Sequence, residues 1–469
     1  MVRGGFPFSS DCECDAEPND SRIARPHMPK LSSREEGNSS AQEARERTWE
    51  VILAFLLFAA VTIVSAIGQS HCTAHEGLGW DGRFYYSVAE QFAEHQKPQS
   101  RAPFIFRPAV PYLAARLEPH NIMLGFYIVS VVAAGLITAL LIIWFRLFLN
   151  KWLVRLLLVA LFLLEWHAPA RFTFFIPNGP DPWAVAACVA GLICLHRIYL
   201  RFSWRWLLLL SFICFVGPLI REFVGCLALG ALCVSNPAER DQGLRFRWPS
   251  LRLWIPLATT MAGIAVCHSI VIDTHFAGYS TLKQAGHFWY YQPLFMYLHS
   301  WLIAYGPVLF LPVFFWRRAG RFLWIHQYQL AFLVGIVALS WVGGDDTERY
   351  SFWAMPIIYL LCGKIIEQEG SILRSRLLVA CLVTTQAFSE RLFWFVPQEW
   401  GGDNPSRVLL TPLRNVSYLN LYTHFGPGLA LGLSLIEYGI VGVIIIWVLR
   451  RRQLEIRSDA STALGWKWV

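Results

Sequence analysis

Long runs of apolar residues separated by short polar turns dominate the chain from residue 51 onward. Residues 51–68 (VILAFLLFAAVTIVSAIG) and 122–145 (IMLGFYIVSVVAAGLITALLIIWF) show hydrophobic residues in blocks rather than in alternation. An α-helix of about 20 residues, rising about 1.5 Å per residue, crosses the roughly 30 Å hydrocarbon core of a bilayer. The pattern therefore predicts an all-α fold, a polytopic transmembrane helical bundle. About 12 such segments are predicted, at roughly 51–68, 122–145, 152–167, 182–197, 206–220, 222–235, 253–272, 294–315, 323–342, 351–366, 377–396 and 430–449.

Composition agrees with a membrane protein, since 55% of the residues are hydrophobic, 15% aromatic and only 15% charged. Residues 1–48 differ: they are rich in Ser, Pro, Arg and Glu, which predicts a disordered cytoplasmic tail. The first apolar run begins only at Val51 and no cleavage site stands out after it, so we expect a membrane anchor rather than a signal peptide. The predicted organisation is a tail (1–48), a transmembrane domain (49–450) and a second cytoplasmic tail (451–469).

Basic residues collect in every second predicted loop, as they do in the cytoplasmic loops of membrane proteins. These loops contain Arg146, Lys151 and Arg155; Arg197, Arg201 and Arg205; Arg240, Arg245, Arg247 and Arg252; Arg317, Arg318 and Arg321; Lys364, Arg374 and Arg376; and Arg450, Arg451, Arg452 and Arg457. Both termini are then cytoplasmic, and the loops that face out are 69–121, 168–181, 273–293, 343–350 and 397–429. This topology accounts for the net charge of +8, so we expect membrane lipid and no nucleic acid as a partner.

The longest external loop contains the stretch GWDGRFYYSVAEQF (79–92), in which Asp81 stands between apolar and glycine residues. Residues 87–95 have helical amphipathic spacing, which suits a helix lying along the membrane surface. Further along the same loop, Arg107 follows an apolar patch. Carboxylates accept protons from hydroxyl groups and arginines bind phosphate through forked hydrogen bonds, so the loop carries candidate chemistry. The alternative for Asp81 is that it caps a helix beginning near Arg83.

A second candidate feature is VGPLIREFVG (216–225), where Gly217 and Pro218 are expected to break a helix beside Arg221 and Glu222. Charges at membrane depth are tolerated when they are paired or when they face a wet cavity. A structural ion pair and a functional role are equally good interpretations of these two charges.

A metal site is a weaker hypothesis at HCTAHE (71–76), where His71, Cys72, His75 and Glu76 lie close together in the sequence. Histidines at positions i and i+4 meet on one face of a helix. No second group of ligands with confirming spacing follows, so a polar loop is the favoured interpretation and no metal ligand is assigned.

Several of these motifs together resemble the GT-C superfamily of integral-membrane glycosyltransferases, and in particular its bacterial members. GWDGRFYYSVAEQF followed by FRPAVPYLA is similar to that superfamily's first external loop, with its acidic residue and Arg-Pro step. FFIPNGPDPWAVA (174–186) resembles the second external loop, with Asp181 opening the next helix. LIREFVG (219–225) resembles an Arg-Glu step on a broken helix pair, and GGDDTERYSFWAMPIIYLL (343–361) resembles a later acidic loop.

The resemblance implies an inverting glycosyltransferase that moves a sugar from a polyprenyl-phosphate donor to an acceptor at the external face of the bacterial inner (plasma) membrane. Asp81 would be the catalytic base. Many members have a pair of acidic residues where this chain has one, and some have a large soluble carboxy-terminal domain where this chain has a short tail. The resemblance leaves the acceptor open.

Candidate substrate-binding residues come from the same four motifs, and three of them, Arg107, Arg221 and Arg349, would meet the charge of the lipid phosphate. They are Arg83, Tyr85, Arg107, Asp181, Arg221, Glu222, Asp345, Asp346 and Arg349. Asp345, Asp346 and Glu348 could bind sugar hydroxyl groups or a divalent cation, although a solvated turn is the favoured interpretation of these three acids.

Two other classes of function compete with this hypothesis. A secondary transporter would also have broken helices and buried charges, but the long loop containing Asp81 has no counterpart after the seventh segment, so an inverted repeat is not evident. A non-catalytic membrane protein would leave Asp81, Arg107, Asp181 and Arg221 on one side of the membrane without a role.

Overall fold

The computed structural model of the chain describes most of residues 33–390 and part of the last helical region. The described residues are 33–69, 71–72, 75–79, 81–234, 250–274, 281–291, 294–343, 347–369, 376–390, 436, 438–440, 442–444, 446–447 and 450–451. Residues Arg47–Val469 form one compact unit. Most of the predicted tail, 1–32, lies outside the described residues. The first helix begins at Ser33 and continues past residue 48, so the helix does not mark the predicted boundary at residue 48, which stays a prediction.

The fold is an all-α helical bundle, as predicted. Its α-helices are α1 (Ser33–Gly68), α2 (Gly82–Ala93), α3 (Ala109–Leu117), α4 (Ile122–Arg146), α5 (Trp152–Leu164), α6 (Pro169–Phe172), α7 (Asp181–Leu200), α8 (Trp204–Ile220), α9 (Cys226–Leu232), α10 (Ile255–Ile270), α11 (Thr281–Tyr291), α12 (Leu294–Tyr305), α13 (Phe310–Phe314), α14 (Trp316–Ile325), α15 (Gln327–Val342), α16 (Thr347–Ser351), α17 (Met355–Gln368) and α18 (Arg376–Ser389). Short 3₁₀ helices occupy Phe104–Phe106, Glu222–Gly225, Leu251–Trp254, Gly306–Leu309 and Phe352–Ala354. Two-residue strands β1 (Gln99–Ser100) and β2 (Ile272–Asp273) pair in parallel.

Six helical stretches among the described residues are long and apolar enough to cross a membrane, and a seventh is obtained if one bent pair counts as a single span. The six are Ala44–Gly68, Ile122–Arg146, Trp152–Phe172, Asp181–Leu200, Leu251–Ile270 and Tyr297–Phe314. Many apolar side chains on these helices are exposed, for example Val64 at 61% and Ile67 at 83%. Hydrocarbon is a favourable environment for such side chains and water is not, so these faces suit contact with lipid.

The predicted number of about 12 spans is not confirmed, because several predicted segments are shorter or bent in the structure. α8 has 17 residues and α9 has seven. α14 and α15 meet at an angle of 113° where one continuous segment was predicted. Hydropathy detects apolar composition but does not report where a helix ends, so a broken helix and a complete span look alike in sequence.

The two ends of α4 have different polar surroundings. At its carboxyl end, Arg146 and Arg155 both donate to the buried carboxylate of Glu50, with Nε to oxygen distances of 3.0 and 2.8 Å. At its amino end, α4 packs against α3 and follows the long loop that contains Asp81. The strand pair attaches residue 273 to that same loop, and the backbone N–H of Ala102 donates to Asp273 over 3.1 Å. The loop that contains Asp81 and Arg107 therefore leads to the end of α4 that is away from Glu50.

Candidate functional site

Asp81 immediately precedes α2, yet its side chain does not cap that helix. α2 begins at Gly82, and Asp81 makes no capping hydrogen bond from its side chain. Its Oδ2 lies 3.4 Å from Nη2 of Arg349, which belongs to α16. The side chain is 38% exposed. The capping interpretation of Asp81 is therefore wrong, and the carboxylate is both paired with a distant arginine and accessible.

Asp181 is the first residue of α7, as the sequence indicated, and it lies between two arginines. Its Oδ2 is 3.4 Å from Nε of Arg349, and its Oδ1 is 2.5 Å from Nη1 of Arg221. The short contact with Arg221 is an ion pair whose geometry is not that of an aligned hydrogen bond, since Oδ1 has no hydrogen-bond partner. Arg349 thus links the carboxylate just before α2 to the carboxylate at the start of α7.

Arg221 lies where the backbone leaves α8, in an extended conformation with φ −164° and ψ 139°. The sequence indicated a break at Gly217 and Pro218, but α8 continues through both and ends at Ile220. Gly217 packs directly against Val224, where a Cβ would have no room, so the helix and the segment after it approach closely. The break predicted for this motif exists, four residues later than Gly217.

The Arg221 guanidinium is almost fully buried, with 2% of its side chain exposed. The Cζ atom of Arg221 lies 4.9 Å from the ring centre of Trp353 and 5.6 Å from that of Tyr350, so these two aromatic rings cover the guanidinium. Trp353 in turn stacks on Phe223, with ring centres 3.6 Å apart. Nη1 contacts Asp181, whereas Nε and Nη2 are buried without hydrogen-bond partners among the described residues.

Arg107 and Glu222 form a forked ion pair that joins the loop between α2 and α3 to the segment after α8. Nε of Arg107 donates to Oε2 of Glu222 over 2.9 Å, Nη2 donates to Oε1, and Nη1 donates to the Tyr85 hydroxyl over 2.7 Å. Arg107 is 7% exposed but Glu222 is 56% exposed. A structural ion pair at this helix break was one interpretation of Arg221 and Glu222, and the structure gives each of them a partner from a different loop.

The pKa values of Tyr85 and Arg107 are both shifted upward. Burial raises the pKa of Tyr85, while nearby Arg107 and Arg221 only partly offset that effect. Burial alone lowers the pKa of Arg107, but the Glu222 carboxylate reverses this and raises that pKa well above its usual range. At neutral pH, Tyr85 is therefore a neutral hydroxyl and Arg107 a fixed cation.

Asn178 connects the two loops that carry the aspartates, and the sequence gave no sign of this role. It is fully buried, and its Nδ2 donates to the carbonyl oxygen of Leu78 over 2.9 Å. Gly82 packs directly on its amide group, where a Cβ would meet the amide atoms. Tyr350 and Trp353 were also missed, although both lie in the quoted motif GGDDTERYSFWAMPIIYLL (343–361). Aromatic residues are so frequent in this chain that the two carried no distinct signal.

Other sequence candidates lie elsewhere or outside the described residues. Arg83 is exposed: its guanidinium lies over Phe84 and its Nη1 lies 3.5 Å from Nδ1 of His75. Glu348 is buried next to Arg349. Asp345 and Asp346 lie outside the described residues.

The HCTAHE segment does not assemble into a ligand cluster. Nδ1 of His71 lies 3.1 Å from the Tyr127 hydroxyl, and Cys72 is buried. Within the described part of the chain, no group of three or more His, Cys, Asp or Glu side chains could hold a metal ion.

The assembled cluster contains three arginines, Arg107, Arg221 and Arg349, and three carboxylates, Asp81, Asp181 and Glu222. Such a set can bind an oxyanion through the arginines and accept a proton through an accessible carboxylate. No protein-family model matches the chain, and no curated protein or solved structure shows significant similarity to it. The chemistry of the cluster is therefore the main guide to function.

Proposed function

We propose that the protein is a membrane glycosyltransferase that moves a sugar from a polyprenyl-phosphate donor to a hydroxyl acceptor. One observation carries the proposal: Asp81, Asp181, Arg221 and Arg349, from four separate segments, contact one another in a single cluster. Buried arginines and an accessible carboxylate are the groups that this reaction requires at its two ends.

In the proposed reaction, the acceptor oxygen attacks the anomeric carbon of the donor sugar and its proton passes to the Asp81 carboxylate. The bond between the anomeric carbon and the phosphate oxygen breaks, and the phosphate leaves with the electron pair. Attack from the side opposite the phosphate inverts the configuration. Arg221 and Arg349 stabilise the phosphate negative charge, since guanidinium groups bind phosphate in forked geometry.

Glu222, held by Arg107, is the proposed contact for the sugar hydroxyl groups. Glu222 is more than half exposed while Arg107 holds it in place through the forked pair. Its carboxylate oxygens can accept hydrogen bonds from sugar hydroxyl groups without moving, because the paired arginine fixes their position. Tyr85 supports the same arginine from behind.

The proposed location is the bacterial inner membrane, with the cluster at the external face and both termini in the cytoplasm. The support is the distribution of charge: Glu50 with Arg146 and Arg155 lies at one end of α4, and the loop of Asp81 precedes the other end. Excess positive charge is typical of the cytoplasmic side.

Binding of the leaving group tests the proposal without knowledge of the sugar or the acceptor. We expect polyprenyl phosphate to raise the unfolding temperature of the detergent-solubilised protein, and polyprenol of the same length to have a smaller effect. A ligand at 100 times its Kd stabilises the folded state by about 2.7 kcal/mol. Arg221→Gln should remove the difference between the two lipids, and the exposed Arg83→Gln should retain it. Equal effects of the two lipids on the unmodified protein would contradict the proposal.

A further inference from the structure

Arg349 holds two carboxylates at once, and it holds both loosely. Its Nη2 lies 3.4 Å from Asp81 and its Nε 3.4 Å from Asp181. Charge-assisted hydrogen bonds between nitrogen and oxygen are typically about 2.7–2.9 Å long. The Asp81 side chain is 38% exposed, so water competes for it. The contact between Arg349 and Asp81 is therefore weak enough for a better anion to displace the carboxylate.

Arg221 gives independent information about the competing anion. Its Nε and Nη2 are buried without hydrogen-bond partners among the described residues, although a buried, charged donor without a partner is destabilising. Trp353 and Tyr350 cover the guanidinium, which leaves its edge as the direction for an acceptor. A ligand with several acceptor oxygens on one atom, such as a phosphate, satisfies these donors.

The charges of the cluster limit how such a ligand can enter. Among the contacts of the described residues, Glu222 pairs with Arg107, while Arg221 and Arg349 contact two anions, Asp81 and Asp181. A phosphate that joins these groups adds negative charge next to the two aspartates. Of these two aspartates, Asp81 is the more exposed and, of the two arginines, contacts Arg349 alone, so its departure is the cheaper adjustment.

We propose that a phosphate group binds Arg221 and Arg349 in place of the Asp81 carboxylate, so that ligand binding releases Asp81 from Arg349. This inference rests on the proposed function and adds an order of events to it. Before the donor binds, the Asp81 carboxylate is paired with Arg349. Once the donor phosphate is present, Asp81 is free to accept the acceptor proton. Proton abstraction is thereby coupled to occupancy of the donor site.

The exchange predicts that removing the Asp81 charge strengthens phosphate binding, because the two anions compete for one arginine. We expect Asp81→Asn to lower the Kd for polyprenyl phosphate by about two- to fivefold, the range for a partly exposed ion pair. Asp181→Asn also removes a competitor from Arg349 and is a second variant should Asp81→Asn unfold. Glu90→Gln removes an exposed negative charge from the same helix α2 and should leave the Kd unchanged.

The measurement is the Kd of each purified, folded full-length variant for polyprenyl phosphate, with polyprenol as the reference lipid. Tighter binding by Asp81→Asn but not by Glu90→Gln supports the exchange. In an Arg349→Gln background, Asp81→Asn should give no further tightening. Unchanged or weaker binding by Asp81→Asn overturns the exchange alone, provided the unmodified protein prefers the phosphate lipid. No preference in the unmodified protein overturns the proposed function and the exchange together.

Discussion

Gly82→Ala tests whether the contact between the two aspartate-bearing loops sets the position of Asp81. A Cβ at Gly82 would lie 2.5 Å from Cγ of Asn178 and closer still to its terminal atoms. Asn178 is fully buried and donates to Leu78, so it cannot turn away without losing that bond. Relief of the clash therefore either breaks that bond or moves Gly82, and Asp81 with it.

The expected loss of stability for Gly82→Ala is about 0.5–4.5 kcal/mol, with a central value of about 2.5 kcal/mol. Overpacking a buried contact typically costs about 1–3 kcal/mol, and loss of the Asn178 hydrogen bond adds about 0.5–1.5 kcal/mol. Replacing glycine in the first turn of α2 returns up to about 1 kcal/mol, because alanine favours the helix.

Thermal unfolding of the purified protein in detergent measures this loss, and Gly179→Ala is a matched control. A Cβ at Gly179 has nothing within 4 Å, so that variant should stay within about 0.5 kcal/mol of the unmodified protein. Removing the obstacle in Gly82→Ala/Asn178→Ala should make the two changes non-additive by at least about 1 kcal/mol. Equal stability of Gly82→Ala and Gly179→Ala would refute the reasoning.

Three further predictions concern charge, pH and orientation. Glu222→Gln should destabilise the protein more than Arg107→Gln, because it leaves the buried Arg107 cation without its partner, whereas Arg107→Gln leaves the exposed Glu222 carboxylate. The cost of Glu222→Gln should lie near the lower end of about 3–5 kcal/mol. The opposite order of the two variants in thermal unfolding would contradict the pairing. Because the pKa of Tyr85 is raised in the folded state, Tyr85 stays protonated there at a pH at which it ionises in the unfolded state. Its contribution to stability is therefore complete below the ordinary pKa of 10.0 and is lost as the pH rises above that value. Tyr85→Phe should make the loss of stability at alkaline pH shallower, and an unchanged slope would contradict this role of Tyr85. In a cysteine-free background, an impermeant thiol reagent outside the cell should label Gly179→Cys but not Ser203→Cys, and labelling of both from one side would exclude the proposed topology.

The residues of the cluster could be selected from sequence because charge is rare in this chain. Asp81, Arg107, Asp181 and Arg221 each stand within apolar or glycine- and proline-containing surroundings. In a chain with 15% charged residues, such positions are conspicuous. Burial of charge is costly, so a charged residue in an apolar segment indicates a partner. Sequence order does not reveal which partner, and the pairing of Glu222 with Arg107 emerged only from the structure.

The apolar supports of the site could not be predicted, for a related physical reason. Trp353 and Tyr350 cover Arg221, but an aromatic side chain in a helical bundle packs well in many places. Asn178 acts through a contact with Gly82, 96 positions earlier, and such contacts are set by tertiary packing. The predicted number of spans is likewise not confirmed among the described residues, since a bend such as the one at His326 depends on packing rather than on hydropathy.

Turnover by Asp81→Asn tests the central claim most directly. Each set of proteoliposomes would contain the same amount of folded protein and a panel of polyprenyl-phosphate sugars, with membrane extract from the source cells as the supply of acceptor. The amount of free polyprenyl phosphate released measures transfer of the sugar, whichever acceptor takes it. Asparagine retains the size of the side chain but cannot take the acceptor proton, so we predict that Asp81→Asn lowers the rate by at least about a hundredfold, whereas Glu90→Gln has the unmodified rate. Turnover by Asp81→Asn at the unmodified rate would contradict the claim that Asp81 is the base.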